Sequence, residues 1–472
     1  MPLSNQVDDS LKSAVPLGDS ELRVEAMSPT GGSRESRNSF TQDALHLIGN
    51  RFLIMLVTFG TGVMLARSLG ADGRGVIAAV LVYPTMFLSL TEMGVRQSSI
   101  FYIGKQIFTD RQVVGAVSTL ILLTGLIGII VCTGLLFATG NAAFTPMIIA
   151  LAVGTIPFTL VIHYSSGIFL GKQLVRQFAW VQRMAKVQQL LMVVILVWWL
   201  ALDVPGALVA ILLSSILVAG FALWRVSQIA PLRPSFDWSI SRALLFKGTA
   251  YAISSFLMIL NYKIDVVMME RLTSASEIGT YIIAVEIAQL TWVLPQSINT
   301  ALFSHSANAQ DEQAFARKVA RLFRVSVLIS FLLVAGLAVA SPFLIPAMYG
   351  NEFIPSVRAM QLLLPGVFCL LLLKILNMDL AGRGRPMVSL WVKVPALVVN
   401  ILLNLYLLPR YGARGAAVAS SVSYSLTGVG FMVLYCRVTG LRLAELWHYQ
   451  RSDFNFVQRL LPGHLSAKRR TP

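Results

Sequence analysis

Ionisable side chains stand inside runs of about twenty otherwise apolar residues. They are Arg51, Lys263, Asp265, Glu286 and Lys374. A charge at the centre of a bilayer costs about 2.5–3.5 kcal/mol on insertion scales, so such a residue normally faces a partner or a water-filled cavity. We interpret Lys263, Lys374 and Arg51 as positive charge lining a cavity. Fixed cations there would offset the cost of bringing an anionic group into a low-dielectric passage.

Each of these cations also has a structural interpretation. Lys263 and Asp265 are two residues apart, about 200° around a helix, so they cannot pair with each other. Lys263 and Lys374 could instead pair with carboxylates of neighbouring spans and tie helices together. Arg51 could extend its charged end to the membrane surface. The sequence leaves both interpretations open.

A polar line runs along one predicted helix, over residues 278–301. Glu286, Gln289, Gln296 and Thr300 follow each other in steps that place them on one face. Pro295 interrupts the same helix and frees a backbone carbonyl. Polar faces and prolines are tolerated in spans where they line a cavity. We therefore predict that this face is exposed to the cavity, with hydrogen bonding between helices as the alternative.

Composition indicates that lipid surrounds most of the chain. Hydrophobic residues make up 56% of the 472 residues and charged residues 13%, against about 25% charged in soluble domains. The net charge of +16 lies in short basic clusters between apolar runs. Such clusters are typical of loops held against anionic lipid, so we predict no nucleic-acid partner.

About twelve spans of roughly 20 residues are predicted. Their ranges are 46–67, 76–94, 113–138, 143–170, 178–202, 206–227, 244–269, 278–301, 322–348, 355–380, 387–408 and 413–436. Lys and Arg concentrate in alternate connecting segments, which places both termini in the cytoplasm. The outer loops are all short, while 302–321 is predicted to be an amphipathic cytoplasmic loop.

The same pattern predicts the domain organisation of the chain. Residues 1–43 are expected to form a disordered cytoplasmic tail, because they are polar and lack the apolar centre of a signal peptide. Two six-helix lobes follow at 44–227 and 244–437, joined by a cytoplasmic linker at 228–243. A basic cytoplasmic tail is predicted for 438–472.

The two halves resemble each other in sequence. Residues of ARSLGADGRG recur at a constant offset in ERLTSASEIG: Arg67, Ala71 and Gly75 match Arg271, Ala275 and Gly279. Further matches follow in chain order near the ends of both halves. Because each half has an even number of spans, the repeats insert in the same orientation. Parallel repeats of this kind fit a transporter whose substrate lies between two lobes.

Three segments together resemble the polysaccharide-export flippases (the Wzx type) of the multidrug/oligosaccharidyl-lipid/polysaccharide exporter superfamily. They are LARSLGADGRGVIAAV at 65–80, FKGTAYAISSFLMILNYKIDVVMMERLTSASEIGTYIIAVEI at 246–287 and LLPRYGARGAAVASSVSYSL at 407–426. The resemblance implies an all-α integral membrane protein, a V-shaped bundle of two six-helix lobes around a central cavity. It implies movement of an undecaprenyl-diphosphate-linked oligosaccharide to the outer leaflet of a bacterial inner membrane. A polysaccharide polymerase and a chain-length regulator are then expected as partners.

The sequence contains no ATPase motif that could supply energy for such transport. GIFLGKQ at 167–173 has the wrong spacing for a Walker A loop and lacks its Ser or Thr. We therefore predict Asp265 and Glu286 as candidates for coupling to a proton or sodium ion. No cofactor and no structural metal site are predicted, because no His/Cys/acidic group has ligand spacing.

Two other functions fit parts of the pattern. A cation-coupled drug exporter of the same superfamily would share the fold and differ in the charge of its cavity. A membrane-embedded ligase or acyltransferase would need a long outer loop carrying Arg and His, which the sequence lacks. We therefore expect a transporter and not an enzyme.

Overall fold

The computed structural model describes the backbone of residues 35–235, 237–292, 312–383 and 386–450. The chain divides into two units, Met1–His46 and Leu47–Pro472, and all packing described below lies within the second. The predicted N-terminal tail falls largely outside the described residues, as does most of the basic C-terminal tail. The predicted cavity residues Gln296 and Thr300 also lie outside them.

The described part of the chain is helical and contains no strand. Its α-helices are α1 Glu35–Thr91, α2 Val95–Gly104, α3 Asp110–Thr139, α4 Pro146–Val153, α5 Thr155–Gly171, α6 Val175–Val193, α7 Asp203–Ser227, α8 Trp238–Leu272, α9 Ala275–Gln289, α10 Glu312–Tyr349, α11 Ile354–Gly382, α12 Leu390–Thr439 and α13 Leu443–Trp447. A π-helical segment at Val194–Trp199 continues α6, and a 3₁₀ turn at Leu290–Trp292 continues α9.

Two long helices bend sharply at glycine. Gly70 (φ 66°) interrupts α1 and Gly412 (φ 52°) interrupts α12. L-residues rarely adopt this left-handed region, so glycine is required at both bends. Each bend separates two of the predicted spans, so α1 and α12 each contain two spans joined by a tight turn, which the predicted orientation places on the outer side.

Eight helical stretches of the described residues are long and apolar enough to cross a membrane. Two of these contain the glycine bends, and each is long enough for two spans. Helices α8 and α9 fall outside the eight. Helix α8 nevertheless covers the predicted span 244–269 and carries Lys263 and Asp265, and α9 covers the first part of the predicted span 278–301, which is described only as far as Trp292. The all-helical, multi-pass architecture predicted from the sequence is confirmed.

Some helices extend beyond the predicted spans. Helix α10 begins at Glu312, inside the segment 302–321 that was predicted to be a loop, and α8 begins at Trp238, inside the predicted linker. A helix can continue into the polar interface as amphipathic turns that extend its backbone hydrogen bonds. The helix end then no longer coincides with the end of the apolar stretch. Hydrophobicity alone therefore placed these boundaries too far along the chain.

Packing occurs mainly within each half of the chain. In the first half α5 contacts α2, α3 and α7, while in the second half α11 contacts α9, α10 and α12. Helix α8 packs on α12, and it also contacts α2 and α3 of the first half. Helix α8 is thus one of the elements along which the first and second halves meet.

Candidate functional site

On the predicted outer side, the first bend of the chain is held against the second half. Arg67 donates hydrogen bonds to the carbonyl oxygens of Ala347 (2.6 Å) and Met348 (2.7 Å). Just past the bend, the amide of Ala71 donates to a carboxylate oxygen of Glu352 at 2.8 Å. A charged acceptor at the start of a helix is favoured by the helix dipole. These bonds fasten the turn of α1 to the end of α10 and to the 3₁₀ turn Asn351–Phe353 that follows it.

The other glycine bend has the same kind of cap. The amide of Ala413, directly after Gly412, donates to a carboxylate oxygen of Glu277 at 2.7 Å. Both bends therefore present a free helix amide to an acidic side chain from another helix. Glu352 and Glu277, both near predicted short outer loops, thus each cap the helix segment that follows a glycine bend.

Helices α1 and α9 cross where the sequence repeat predicts equivalent positions. A Cβ on Gly75 would overlap the carbonyl oxygen of Ala275, and a Cβ on Gly279 would overlap the carbonyl oxygen of Ala71. Each glycine of the repeat therefore packs directly on the alanine of the other repeat. Only glycine permits so close a backbone approach. We call this reciprocal contact the glycine crossing.

A cavity of about 560 Å³ lies beside the glycine crossing. Glu270 forms part of its wall and accepts hydrogen bonds from Asn141 (2.9 Å) and from the hydroxyl of Tyr83 (3.2 Å). Asn141 and Tyr83 belong to the first half of the chain and Glu270 to the second. On the predicted outer side, polar contacts thus join the two halves in addition to the glycine crossing.

A charged cluster lies deeper, between the same halves. Arg74 of α1 forms an ion pair with Glu286 of α9, with 2.7 Å between its Nη2 and the carboxylate oxygen. The Arg74 side chain is 7% exposed, whereas that of Glu286 is 44% exposed. Lys186 of α6 and Lys263 of α8 both interact electrostatically with Glu286. We call these four residues the central charge cluster.

Three members of the central charge cluster lie well inside their helices, while Arg74 is four residues past the bend at Gly70. Glu286 is eleven residues into α9 and Lys186 eleven residues into α6, which at 1.5 Å per residue is about 16 Å from the helix ends. Lys263 is nine residues from the end of α8, or about 13 Å. Half of a hydrocarbon core measures about 15 Å. The three distances are close to that half-thickness, as expected for side chains near the predicted midplane of the membrane.

Glu286 provides the exposed face of the central charge cluster. A Cβ on Gly62 of α1 would lie 3.2 Å from a carboxylate oxygen of Glu286, so α1 closely approaches this carboxylate. Gln289, three residues along α9, is half-buried. The predicted polar face of α9 is thus described only at Glu286 and Gln289, and its continuation toward Gln296 and Thr300 stays a prediction.

Lys374 stands apart from the central charge cluster. Its ammonium lies 4.0 Å from the ring centroid of Trp292 and 5.5 Å from that of Tyr262. Lys393 is its electrostatic neighbour. Cation–π contacts of this kind stabilise a desolvated ammonium without a carboxylate. The structure therefore brings Lys263 and Lys374 into different surroundings, although the sequence grouped them together.

Arg51 and Asp265 also occupy different surroundings. Arg51 is exposed on α1, sixteen residues after the helix begins. Asp265 is fully buried and accepts hydrogen bonds from the hydroxyl of Tyr281 (2.8 Å), the amide of Asn404 (2.7 Å) and the hydroxyl of Ser420. These donors come from α9 and from both parts of α12. Asp265 thus ties three segments of the second half together.

Glu92 is a buried carboxylate of the first half of the chain. Glu92 accepts hydrogen bonds from His163 Nδ1 and Arg96 Nε, each at 3.1 Å. The pair of Glu92 and His163 lines a cavity of about 350 Å³ that also includes Ile259 of α8. In the described residues, no three His, Cys, Asp or Glu side chains come together in an arrangement that could hold a metal ion.

Sequence reasoning missed two members of the central charge cluster. Arg74 was assigned to an outer loop, because its segment connects two predicted spans and nothing in the sequence shows that its side chain reaches Glu286. Lys186 lies within the predicted span 178–202 and was counted with the basic residues of the cytoplasmic segment before it. Its position eight residues inside that span was the signal that could have identified it.

A family model described as polysaccharide biosynthesis protein matches residues 64–358. A probable low-salt glycan biosynthesis flippase of Haloferax volcanii is 22% identical over 232 residues, covering 48% of each chain. A putative O-antigen transporter of Shigella flexneri is 24% identical over 226 residues, covering 48% of this chain and 53% of the relative. The chain thus spans about half the length of the curated relatives it matches.

Solved structures resemble the fold over most of the chain. The lipid II flippase MurJ in an inward closed conformation superposes with a TM-score of 0.69 at 13% identity, covering 90% of this chain and 96% of that one. An inward-facing multidrug resistance MATE transporter of the MOP superfamily gives a TM-score of 0.67 at 17% identity, with coverages of 84% and 98%. At these identities the likeness establishes the fold.

Proposed function

The chain belongs to the polysaccharide biosynthesis protein family, and from this premise we propose that it moves an undecaprenyl-diphosphate-linked oligosaccharide from the cytoplasmic to the outer leaflet of a bacterial inner membrane. The family membership confirms the resemblance predicted from the sequence. The cargo and the direction of movement are our proposal. Relatives described as a glycan biosynthesis flippase and an O-antigen transporter support it.

The central charge cluster is the observation that carries the proposal. Its cations Arg74, Lys186 and Lys263 outnumber its single carboxylate, Glu286. A diphosphate carries at least two negative charges and is the most costly part of the substrate to desolvate. A net positive cluster near the midplane lowers that cost, because charge attraction is much stronger there than in water. Sites at this depth between two repeats are typical of transporters.

Substrate binding would rearrange the ion pair at this site. The diphosphate competes with Glu286 for Arg74, since both are anionic acceptors for one guanidinium. Glu286 would then lose its ion pair with Arg74, and the diphosphate would also compete for Lys186 and Lys263. Binding a proton or sodium ion would then stabilise Glu286, and this links cargo to an ion gradient. In this proposal Glu286 is the primary coupling group.

Asp265 remains a second proposed coupling group. It is surrounded by donors from Tyr281, Asn404 and Ser420, so a bound ion would have to displace or share these hydrogen bonds. Exchange at Asp265 would therefore alter the contact between α8, α9 and α12. Ion binding at Asp265 would in this way change the packing of the whole second half.

The outer closure supplies the moving part of the proposed cycle. The glycine crossing and the caps at Ala71 and Ala413 hold the halves together on the outer side. Release of the substrate to the outer leaflet requires that these contacts separate. Because they are individually small, they can open and close without unfolding either half.

The cellular setting follows from the same proposal. Both termini lie in the cytoplasm, the protein acts as a transporter without enzymatic chemistry, and a polymerase and a chain-length regulator use its product. Lys374 and Arg51 add positive charge on the route to the central charge cluster. The drug-exporter alternative is supported by the MATE-like fold, but organic cations favour a cavity with excess acidic charge, the opposite of this one.

The test is export of surface polysaccharide in cells that depend on this protein. Lys263→Ala should reduce export while the amount of protein in the membrane stays near normal. Lys263→Arg keeps the charge and should restore most of the export. Lys105→Ala removes an exposed lysine outside the cavity and serves as the matched control.

Two outcomes would refute the proposal. If membrane abundance falls together with export, Lys263 has a structural role. If export is unchanged in Lys263→Ala and Lys186→Ala cells while resistance to cationic drugs is altered, the protein is a drug exporter. Both measurements use the same strains.

A further inference from the structure

A separate basic pocket lies at the predicted cytoplasmic end of α10. It has a volume of about 360 Å³ and lies between the first turns of α10 and the short helix α13. Four arginines line it among the described residues: Arg317, Arg321, Arg324 and Arg442. The carboxylate of Glu445 and the side chain of His448 are also in its wall. The positive charge exceeds the negative, so the pocket suits an anion.

The two sides of the pocket are fixed to each other. Arg324 is 5% exposed and donates a hydrogen bond from Nη1 to the carbonyl oxygen of Glu445 at 2.7 Å. Phe323 packs edge-on against Trp447, with ring centroids 5.9 Å apart. Leu446 of α13 is buried in the core cluster that contains Phe323. The pocket is therefore a built feature of the second half.

One face of α10 changes from cationic to apolar along its length. Arg317, Arg321, Arg324, Leu328 and Phe331 follow each other in steps of four and three, which places them on one helix face. Arg324 borders the apolar run of the span, and both Leu328 and Phe331 are exposed. The stripe thus carries charge at the interface and exposed hydrocarbon toward the membrane centre.

The rim of the pocket also combines exposed apolar side chains with the basic lining. Leu443 and Trp447 are one turn apart on α13, and both are exposed although they are apolar. Tyr449 follows them, also exposed, and its hydroxyl donates to the carbonyl oxygen of Arg324 at 3.4 Å. Exposed Trp and Tyr are typical of the membrane interface, where one end of the side chain meets lipid and the other water.

We propose that this pocket binds the phosphodiester headgroup of an anionic phospholipid of the cytoplasmic leaflet, whose acyl chains lie along Leu328 and Phe331. A soluble phosphate compound shares the anionic chemistry but has no use for the apolar stripe. A lipid can contact both parts of the stripe, because its headgroup binds the arginines and its acyl chains pack on the apolar residues. Basic pockets on the cytoplasmic side of membrane proteins bind anionic headgroups in this way. The site is distinct from the central charge cluster and goes beyond the proposed transport.

Native mass spectrometry of the purified full-length protein in detergent tests this proposal. Dioleoylphosphatidylglycerol is added as the anionic probe and dioleoylphosphatidylcholine as the zwitterionic one. The double variant Arg317→Gln/Arg321→Gln removes two exposed arginines of the pocket and leaves the buried Arg324 in place. Lys318→Gln removes one charge from the same turn of α10 outside the pocket wall and serves as the control.

Each basic residue at an anionic surface contributes about a five-fold gain in affinity, so the double variant should bind phosphatidylglycerol about thirty-fold more weakly. Lys318→Gln should retain the affinity of the natural protein, and phosphatidylcholine binding should not change. Equal losses in the double variant and in Lys318→Gln would overturn the proposal in favour of a diffuse basic surface. Binding of glycerol 3-phosphate as tight as that of phosphatidylglycerol would overturn it in favour of a soluble anion.

Discussion

The glycine crossing gives the sharpest prediction about movement. In Gly75→Ala the new methyl group overlaps the carbonyl oxygen of Ala275, and in Gly279→Ala it overlaps that of Ala71. Overpacking of this kind costs about 1–3 kcal/mol. The cost arises only while the outer side is closed. Alanine is also a better helix former than glycine by about 1 kcal/mol, in open and closed states alike, so neither change should unfold its helix.

A penalty of about 2 kcal/mol on the closed state shifts the equilibrium toward the outward-open state by about thirty-fold. Ala79 reports the change, because it lies one turn beyond Gly75 on the same helix face and is 2% exposed. In a background without the native cysteines, Ala79→Cys should react slowly with a membrane-impermeant maleimide added outside. Adding Gly75→Ala or Gly279→Ala should accelerate the labelling.

The matched control is Gly60→Ala, on the same helix as Gly75 but with no atom within 4 Å of the added Cβ. It should leave the labelling of the reporter cysteine unchanged. The two crossing variants should agree with each other, since the contact is reciprocal. Unchanged labelling in both, with normal membrane abundance, would refute the idea that this crossing closes the outer side.

Two other predictions concern single side chains of the second half. Tyr281→Phe removes one hydrogen bond from the buried carboxylate of Asp265 and should lower the free energy of unfolding by about 1–3 kcal/mol, measured by thermal unfolding in detergent; an unchanged transition would show that this bond does not stabilise the fold. Lys374→Arg should retain polysaccharide export, because a guanidinium keeps both the charge and the contact with Trp292, whereas Lys374→Met should reduce it; equal export by both would remove Lys374 from the proposed route.

The sequence predicts the fold well because each membrane span requires a long run of apolar residues. A run of apolar residues marks a span, whereas the left-handed bends at Gly70 and Gly412, which fall in the short breaks between predicted spans, became visible only in the structure. Helix ends were less predictable. At Glu312 and Trp238 the helices continue into polar surroundings, where hydrogen bonding within the helix and packing decide the boundary, and neither is visible in hydrophobicity.

The candidate site could be predicted only in part. Glu286 and Lys263 were found because an ionisable group inside an apolar run is costly. Arg74 was missed because its segment connects two spans, and only the folded structure shows that its guanidinium reaches Glu286. The separation of Lys374 from Lys263 could not be predicted either. It depends on Trp292 and Tyr262, whose contact with the ammonium is set by helix packing.

The repeat shows the opposite case, in which sequence identified residues whose role needed the structure. Gly75 and Gly279 were matched by their offset alone. Their packing on Ala275 and Ala71 gives the match a physical reason, because each repeat supplies the small residue against which the other closes. Because the contact is reciprocal, both halves need a small residue at each of the matched positions.

The proposed transport requires that the central charge cluster bind a diphosphate. The most direct measurement compares the affinity of the purified protein for undecaprenyl diphosphate and undecaprenyl monophosphate, before and after Lys186→Gln/Lys263→Gln. A charge-assisted hydrogen bond is worth about 1.5–3 kcal/mol, so the double variant should bind the diphosphate at least about a hundred-fold more weakly and lose its preference over the monophosphate. A preference for the diphosphate that persists in the double variant would contradict the account.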